Sequence, residues 1–168
     1  MTWRPDLTVA AVVERDGQFL LVEERIGGEL VLNQPAGHVE DGETLLDAVV
    51  RETREETAWG FTPRAVLGTY LWRNPRNGRS TVRIAFRGEV HDHRPAQALD
   101  RGIHAVHWRT RAELGAAPAR LRSPLVLRCI DDYLAGRAFD LDSLNHLIEP
   151  LADTAAITAR RPSLSRPS

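Results

Sequence analysis

The sequence predicts an α+β fold in which a mixed β-sheet lies between helices, an α/β/α sandwich. Short apolar runs bounded by Gly, Pro and Asn indicate several strands, whereas only two segments have the three- and four-residue apolar spacing of a helix. With 168 residues and 42% hydrophobic content, the chain is long enough for one core and too short for two. We therefore expect a single domain over residues 1–150.

The first strands follow from β-rich apolar runs separated by turn signals. Residues 7–13 and 19–22 flank the turn at 15–17 and are expected to pair as a hairpin. A third, shorter strand is expected at 30–32. It leads into residues 33–37, where a proline and a glycine predict a loop.

The apolar period changes from Glu43 onward and predicts the first helix. Its apolar residues recur at three- and four-residue spacing, as one face of an α-helix requires. The helix is expected to end near 58–60. The apolar face is made of Leu45, Leu46, Val49, Val50 and Thr53.

The second half of the chain returns to extended structure. Residues 65–72 and 80–90 are joined through 74–78, whose Asn-Gly pair is a strong hairpin signal. Residues 104–108 predict a further strand. Three predicted strands therefore precede the first helix and three follow it.

The second helix is predicted from its start and stop signals. Ser123 is a candidate N-cap, and Pro124 at the first helical position has the φ that a helix needs. The helix should run to Tyr133 or Leu134 and stop at Gly136. Residues 151–168 are rich in Ala, Arg, Pro and Ser, and we expect this tail to be disordered.

Charge and composition limit the function classes. The formal net charge of -1 offers no overall positive field, so no polymeric nucleic-acid partner is expected. Cys129 is the only cysteine, which excludes a disulfide framework within the chain. No signal peptide or membrane-length apolar run is visible, and we expect a cytoplasmic, monomeric protein without a membrane partner.

Three carboxylates on the first helix are the candidate site for chemistry. Glu52, Glu55 and Glu56 fall within an arc of about 100° beside the apolar face, where a cleft can form. Clustered carboxylates suit the hard cations Mg²⁺ or Mn²⁺, which also bind phosphate oxygens. Alternatively, these acids form an ordinary solvated face with Arg51 and Arg54 as partners. The glycine-containing loop before the helix favours the metal site.

The spacing of these residues resembles the Nudix box. The box consists of a glycine, five residues, a glutamate, seven residues, Arg-Glu, two residues and Glu-Glu. Thr53 replaces an aliphatic residue, and Ala58 replaces the final glycine of the box. A left-handed helix end at alanine costs about 1 kcal/mol, so Gly60 was the expected alternative cap. The matching positions are Gly37, Glu43, Arg51, Glu52, Glu55, Glu56 and Trp59.

Residues 8–10, 33–38 and 121–126 are similar to segments of the phosphatase NudJ subfamily of Nudix hydrolases, although Leu32 replaces a frequent tryptophan. The resemblance implies a Nudix fold and a Mg²⁺-dependent enzyme. Its substrates would be nucleoside triphosphates and diphosphates and hydroxymethylpyrimidine diphosphate, a thiamine precursor, with release of orthophosphate; thiamine diphosphate is a further candidate.

The resemblance also implies the roles of individual residues. The metal ligands would be Glu52, Glu55 and Glu56, with the backbone carbonyl of Ala36 and, from outside the box, Asp100. Glu52 or Glu55 would serve as general base. Arg51 would orient Glu43 or a ligand carboxylate, or else contact phosphate directly.

Residues near this site have two possible readings. His38 could meet phosphate or fix the loop by a hydrogen bond. Arg79 and Arg83 belong to a basic group around the hairpin that could screen a polyphosphate or lie exposed. Tyr70 and Trp72 could stack on a base or pack in the core.

Three function classes remain open at this level. They are a phosphatase that releases orthophosphate, a pyrophosphohydrolase that cuts ADP-ribose, dinucleotides or nucleoside triphosphates, and a nonenzymatic nucleotide-binding module. The third is disfavoured because every acid of the box is present.

Overall fold

A computed structural model of the chain describes residues 2–148, so the predicted tail at 151–168 lies outside the described residues. The strands are β1 Asp6–Val12, β2 Glu14–Arg15, β3 Gln18–Ile26, β4 Glu29–Asn33, β5 Ala36–His38, β6 Gly60–Arg73, β7 Ser80–His91 and β8 Ile103–Thr110. The helices are α1 Leu45–Thr57, α2 Arg111–Ala116 and α3 Leu125–Leu134.

The strands form two sheets. The first has the order β5-β1-β7-β6, in which β1 and β7 are parallel while β1–β5 and β6–β7 are antiparallel. The second is antiparallel and has the order β2-β3-β4, with β8 paired to β3. The predicted mixed sheet is therefore confirmed. The expected hairpin of residues 7–13 with 19–22 is wrong, because β1 and β3 belong to different sheets and β3 pairs with the two-residue β2 instead.

Alternate residues of β1 pack on different helices. Val9 and Ala11 belong to a buried cluster with Ala48 and Val49 of α1. Ala10 and Val12 belong to a second cluster with Val126, Cys129 and Ile130 of α3. Because successive strand residues point to opposite faces, the first sheet lies between α1 and α3, which confirms the α/β/α arrangement.

Helix α1 is defined by local signals at both ends. Thr44 and Asp47 form a capping box, since the Thr44 side chain accepts from the Asp47 N–H and the Asp47 side chain accepts from the Thr44 N–H. At the other end Ala58 itself adopts the left-handed conformation, with φ 59°. The expectation that Gly60 would cap the helix is wrong, because β6 already begins at Gly60.

Several boundaries differ from the sequence prediction. The predicted loop at 33–37 contains the start of β5, which pairs with β1. Strand β6 begins five residues before the predicted 65, and its bulges interrupt the alternation that would have marked it. Helix α3 begins at Leu125, with Pro124 rather than Ser123 at the N-cap position, a one-residue difference.

Helix α2 has no counterpart in the sequence prediction. It is only six residues long, too short for an apolar period to be visible. Its capping box, in which the Thr110 and Glu113 side chains accept from each other's backbone N–H groups, was nevertheless present in the sequence.

A buried polar link joins the first sheet to α3. The Tyr70 hydroxyl donates a hydrogen bond of 2.9 Å to Asp132 Oδ2, and Arg128 Nε donates to the same oxygen at 2.9 Å. Tyr70 and Asp132 are 9% and 7% exposed, so neither has water as a ready alternative partner.

We expect Tyr70→Phe to lower the free energy of unfolding by about 1–3 kcal/mol, because the buried Asp132 carboxylate loses a donor. The measurement is urea denaturation followed by circular dichroism. The matched control is Tyr133→Phe, whose ring packs edge-on against Phe19 and should keep that contact. Equal stability of the two variants would contradict a role for the Tyr70 hydrogen bond.

Candidate active site

A cleft of about 480 Å³ opens where the first sheet meets the second half of α1 and the start of α3. One side is acidic and is supplied largely by α1. The other side is formed by residues of β3, β4 and β7 and of the segment before α3. The acidic side contains Glu40, Glu52, Glu55, Glu56 and Asp100, and the other side contains Glu24, Asn33, Arg83, Arg122 and Ser123.

Gly37 allows α1 to approach β5 closely. A Cβ atom built on Gly37 would overlap the carboxylate of Glu52. Only glycine therefore leaves room for this carboxylate against the strand. The result is that the box glycine and the first box glutamate of the helix are in direct contact.

Arg51 connects the loop before α1 to the carboxylates of the helix. Its Nε and Nη2 donate to the two oxygens of Glu43 at 3.0 and 2.7 Å. Its Nη1 donates to Glu52 Oε1 at 2.9 Å and to Glu55 Oε2 at 3.0 Å. Nη2 also donates to the His38 carbonyl at 3.0 Å. Arg51 therefore pairs both with Glu43 and with two carboxylates of the helix.

Glu56 is the most buried carboxylate of the acidic side. It is 8% exposed, and its Oε2 accepts a hydrogen bond of 2.8 Å from the Ala36 N–H. Burial, only partly opposed by this hydrogen bond, raises the pKa of Glu56 to about 8. Burial also raises the pKa of Glu52, against the effect of Arg51. The site thus holds carboxylates whose charge a cation would stabilise.

Asp100 joins this cluster from outside α1. Its backbone N–H donates to the Glu55 carbonyl at 2.9 Å, which attaches the loop before β8 to the end of the helix. The negative charge of Asp100 contributes to the raised pKa of both Glu52 and Glu56. The structure therefore brings Asp100 to the acidic side of the cleft.

The residues of the acidic side fit a hard divalent cation, because such ions bind oxygen atoms. The side chains of the acidic side offer carboxylate oxygens, and the adjacent strand β5 offers backbone carbonyl oxygens. Within residues 2–148, no three acidic, histidine or cysteine groups already converge as a finished ligand shell. The reason lies in the contacts of the side chains: Arg51 engages Glu52 and Glu55, whereas Glu56 is turned to the Ala36 N–H.

The other candidate residues from the sequence differ in whether they line the cleft. His38 lines the cleft at its exposed edge, with its Nε2 4.0 Å from Asp6 Oδ1. Arg79 is not among the lining residues and instead pairs with Asp6 at 3.0 Å. Trp72 lines the cleft, whereas Tyr70 lies in the core.

Residues on the less acidic side were missed or misjudged from the sequence. The expectation of an exposed basic hairpin is wrong for Arg83, which is 6% exposed and lines the cleft. The available signal was the position of Arg83 inside the apolar stretch from Val82 to Phe86 of β7. Glu24, Asn33 and Arg122 gave no signal, because they are brought to the cleft by separate elements.

The comparisons with known proteins agree with this geometry. A family model described as the NUDIX domain matches residues 4–128. The phosphatase NudJ of Escherichia coli (strain K12) is 37% identical over 142 residues, which cover 84% of this chain and 92% of that protein. The phosphatase NudJ of Shigella flexneri has the same identity and coverage.

Solved structures show the same architecture. A NUDIX hydrolase from Nitrosomonas europaea is 42% identical, with a TM-score of 0.85 over 88% of this chain and 100% of that one. The NUDIX domain of Shewanella oneidensis NrtR, solved with ADP ribose, has a TM-score of 0.63 at 19% identity, covering 80% of this chain and 90% of that one. At that identity the likeness shows the fold alone.

None of the helices within residues 2–148 combines the length and the apolar character that a membrane span requires.

The family match, the NudJ relatives and the acidic cluster beside Gly37 all lead to one conclusion. This chain belongs to the Nudix family and is a Nudix hydrolase, an enzyme that acts on phosphoanhydride bonds.

Proposed function

We propose that this hydrolase is a Mg²⁺-dependent phosphatase that releases orthophosphate from nucleoside diphosphates and triphosphates and from hydroxymethylpyrimidine diphosphate. The observation that carries the proposal is the cluster of Glu52, Glu55 and Glu56 at the cleft, with Glu52 against Gly37. The similarity to proteins named phosphatase NudJ, over most of both chains, supports the release of orthophosphate.

Nudix hydrolases typically use a divalent metal ion and act on small nucleotide substrates. Here Glu52, Glu55 and Glu56 would hold the ion, together with Asp100 and the carbonyl of Ala36. When bound, Mg²⁺ would neutralise phosphate charge and lower the pKa of a bound water. Mn²⁺ has similar ligand preferences and is a second candidate.

The protein's own residues would orient the substrate and move the proton. Arg51 positions Glu52 and Glu55 through hydrogen bonds from one nitrogen, Nη1. A carboxylate oxygen of Glu52 or Glu55 accepts the proton of the attacking water. His38, at the exposed edge of the cleft, contacts the substrate there. Arg79 acts on the substrate only through Asp6 or after a change of its side-chain position.

The domain extent, oligomeric state and location of the protein are also proposed. We propose that residues 1–150 form one monomeric, cytoplasmic domain without a polymeric nucleic-acid or membrane partner. Size-exclusion chromatography with light scattering would measure the oligomeric state directly.

The function is tested by incubating the purified enzyme with ADP, ATP, hydroxymethylpyrimidine diphosphate or ADP-ribose. Orthophosphate and pyrophosphate are measured separately, with Mg²⁺, with Mn²⁺ and with EDTA. We expect orthophosphate from the first three substrates and no turnover with EDTA. Inertness to ADP, with pyrophosphate formed from ATP or with cleavage of ADP-ribose, would identify a pyrophosphohydrolase instead.

We expect Glu56→Gln to lower kcat at least about 100-fold while Tm stays within about 3 °C of wild type. The folded protein already favours a neutral group here, because burial raises the pKa of Glu56 to about 8. Turnover, in contrast, needs the charged carboxylate. Glu29→Gln is the matched control, since Glu29 is exposed on β4. Full activity of Glu56→Gln would show that the ligand set is wrong.

Gly37→Ala should separate the geometry of the site from the stability of the fold. The added methyl group would displace the flexible end of Glu52, and a carboxylate moved by about 1 Å can lower kcat/KM about 100-fold. Thermal denaturation should change little. Gly115→Ala is the control, because its methyl group would meet only the flexible end of Arg111, on α2. Equal kcat/KM in both variants would contradict the role of Gly37.

A further inference from the structure

Arg83 is a buried charge at the cleft without an anionic hydrogen-bond partner. Its Nη1 donates to Gln34 Oε1 at 3.2 Å and its Nη2 to Asn33 Oδ1 at 3.4 Å, and both acceptors are uncharged amides. Its Nε has no hydrogen-bond partner within residues 2–148. Burying a guanidinium under these conditions is unfavourable unless an anion reaches it.

Among residues 2–148, no neighbouring anion is hydrogen-bonded to Arg83. The thiol of Cys129 lies beside Arg83, but burial raises the pKa of this thiol to about 11, so it is neutral at pH 7. Glu24 pairs with Arg122, whose Nε lies 3.4 Å from Glu24 Oε1. Two guanidinium groups thus share one carboxylate on this side of the cleft.

The position of Arg83 limits which part of a substrate can reach it. Arg83, Asn33 and Ser123 are 6%, 6% and 7% exposed, so this end of the cleft is walled by buried side chains. Glu40, which also lines the cleft, has a side chain that is 71% exposed. A walled end accepts a terminus of the substrate, and the bulky organic group must then lie toward the open edge.

We propose that Arg83 is the specificity-determining residue of a subsite for the terminal phosphate of a diphosphate or triphosphate substrate. The inference rests on the proposed function and deepens it. A terminal phosphate bound at this end of the cleft would place the missing negative charge beside the guanidinium of Arg83, which lines the cleft. A diphosphate capped by a second organic group, such as ADP-ribose, lacks this terminus and has no equivalent group to offer.

The first test compares ADP with its β-phosphate methyl ester, which is capped but otherwise similar. Wild type should prefer ADP. Arg83→Gln should lower kcat/KM for ADP about 10- to 100-fold, mainly by raising KM. The same variant should change kcat/KM for the ester less than about threefold. Arg76→Gln is the matched control, because Arg76 is exposed in the turn between β6 and β7. Equal use of ADP and the ester by wild type would overturn the proposal.

The second test measures binding of inorganic pyrophosphate in the presence of Mg²⁺ by isothermal titration calorimetry, after a check that pyrophosphate is not cleaved, so that it does not depend on turnover. Wild type and Arg76→Gln should bind alike, and Arg83→Gln at least about tenfold more weakly. Unchanged binding in a folded Arg83→Gln would overturn the subsite. If wild type binds pyrophosphate through Arg83 but does not hydrolyse ADP, the proposed function fails and the subsite stands.

A second variant covers the case in which Arg83→Gln does not fold. Asn33→Asp places a carboxylate on the residue that accepts from Arg83 Nη2, and this carboxylate supplies the counter-anion from within the protein. We expect it to fold with a Tm no lower than that of wild type by more than about 3 °C, yet to bind pyrophosphate at least about tenfold more weakly. Binding as tight as in wild type would overturn the proposal.

Discussion

The guanidinium of Arg51 is shared among carboxylates that would otherwise repel one another. It bonds Glu43 in the loop, Glu52 and Glu55 on the helix, and the carbonyl of His38 in β5. Like charges on adjacent helical turns repel one another, and the attraction of a central cation to each of them offsets this repulsion. The acidic side of the cleft can therefore form on a stable helix before any ligand is present.

The two sides of the cleft have complementary tasks for a polyphosphate. Carboxylates such as Glu52 and Glu56 repel phosphate and need a metal ion between them and the substrate. Arg83 attracts phosphate directly and is held in place by uncharged amides. A substrate that carries several phosphates can satisfy both sides together, which gives a physical reason for phosphoanhydride chemistry at this position.

Local signals predicted the fold where they were strong. The capping residue Thr44, the turn at 74–78 and the stop at Gly136 each act through their nearest neighbours in the chain, so helix α1, the β6–β7 hairpin and the end of α3 were recognised. Strand β5 was missed because its three residues are extended only through pairing with β1. The start of β6 was placed five residues too late because bulges interrupt its alternation.

The sequence by itself determined the family and the acidic side of the site, because those residues are close in the chain and the helical period places them on one face. Only the tertiary structure decided the opposite side. Arg83, Asn33 and Arg122 come from three separate segments, and their convergence on the cleft depends on how sheets and helices pack. Whether an arginine is a solvated surface charge or an unpaired buried one is a property of that packing, which no local pattern encodes.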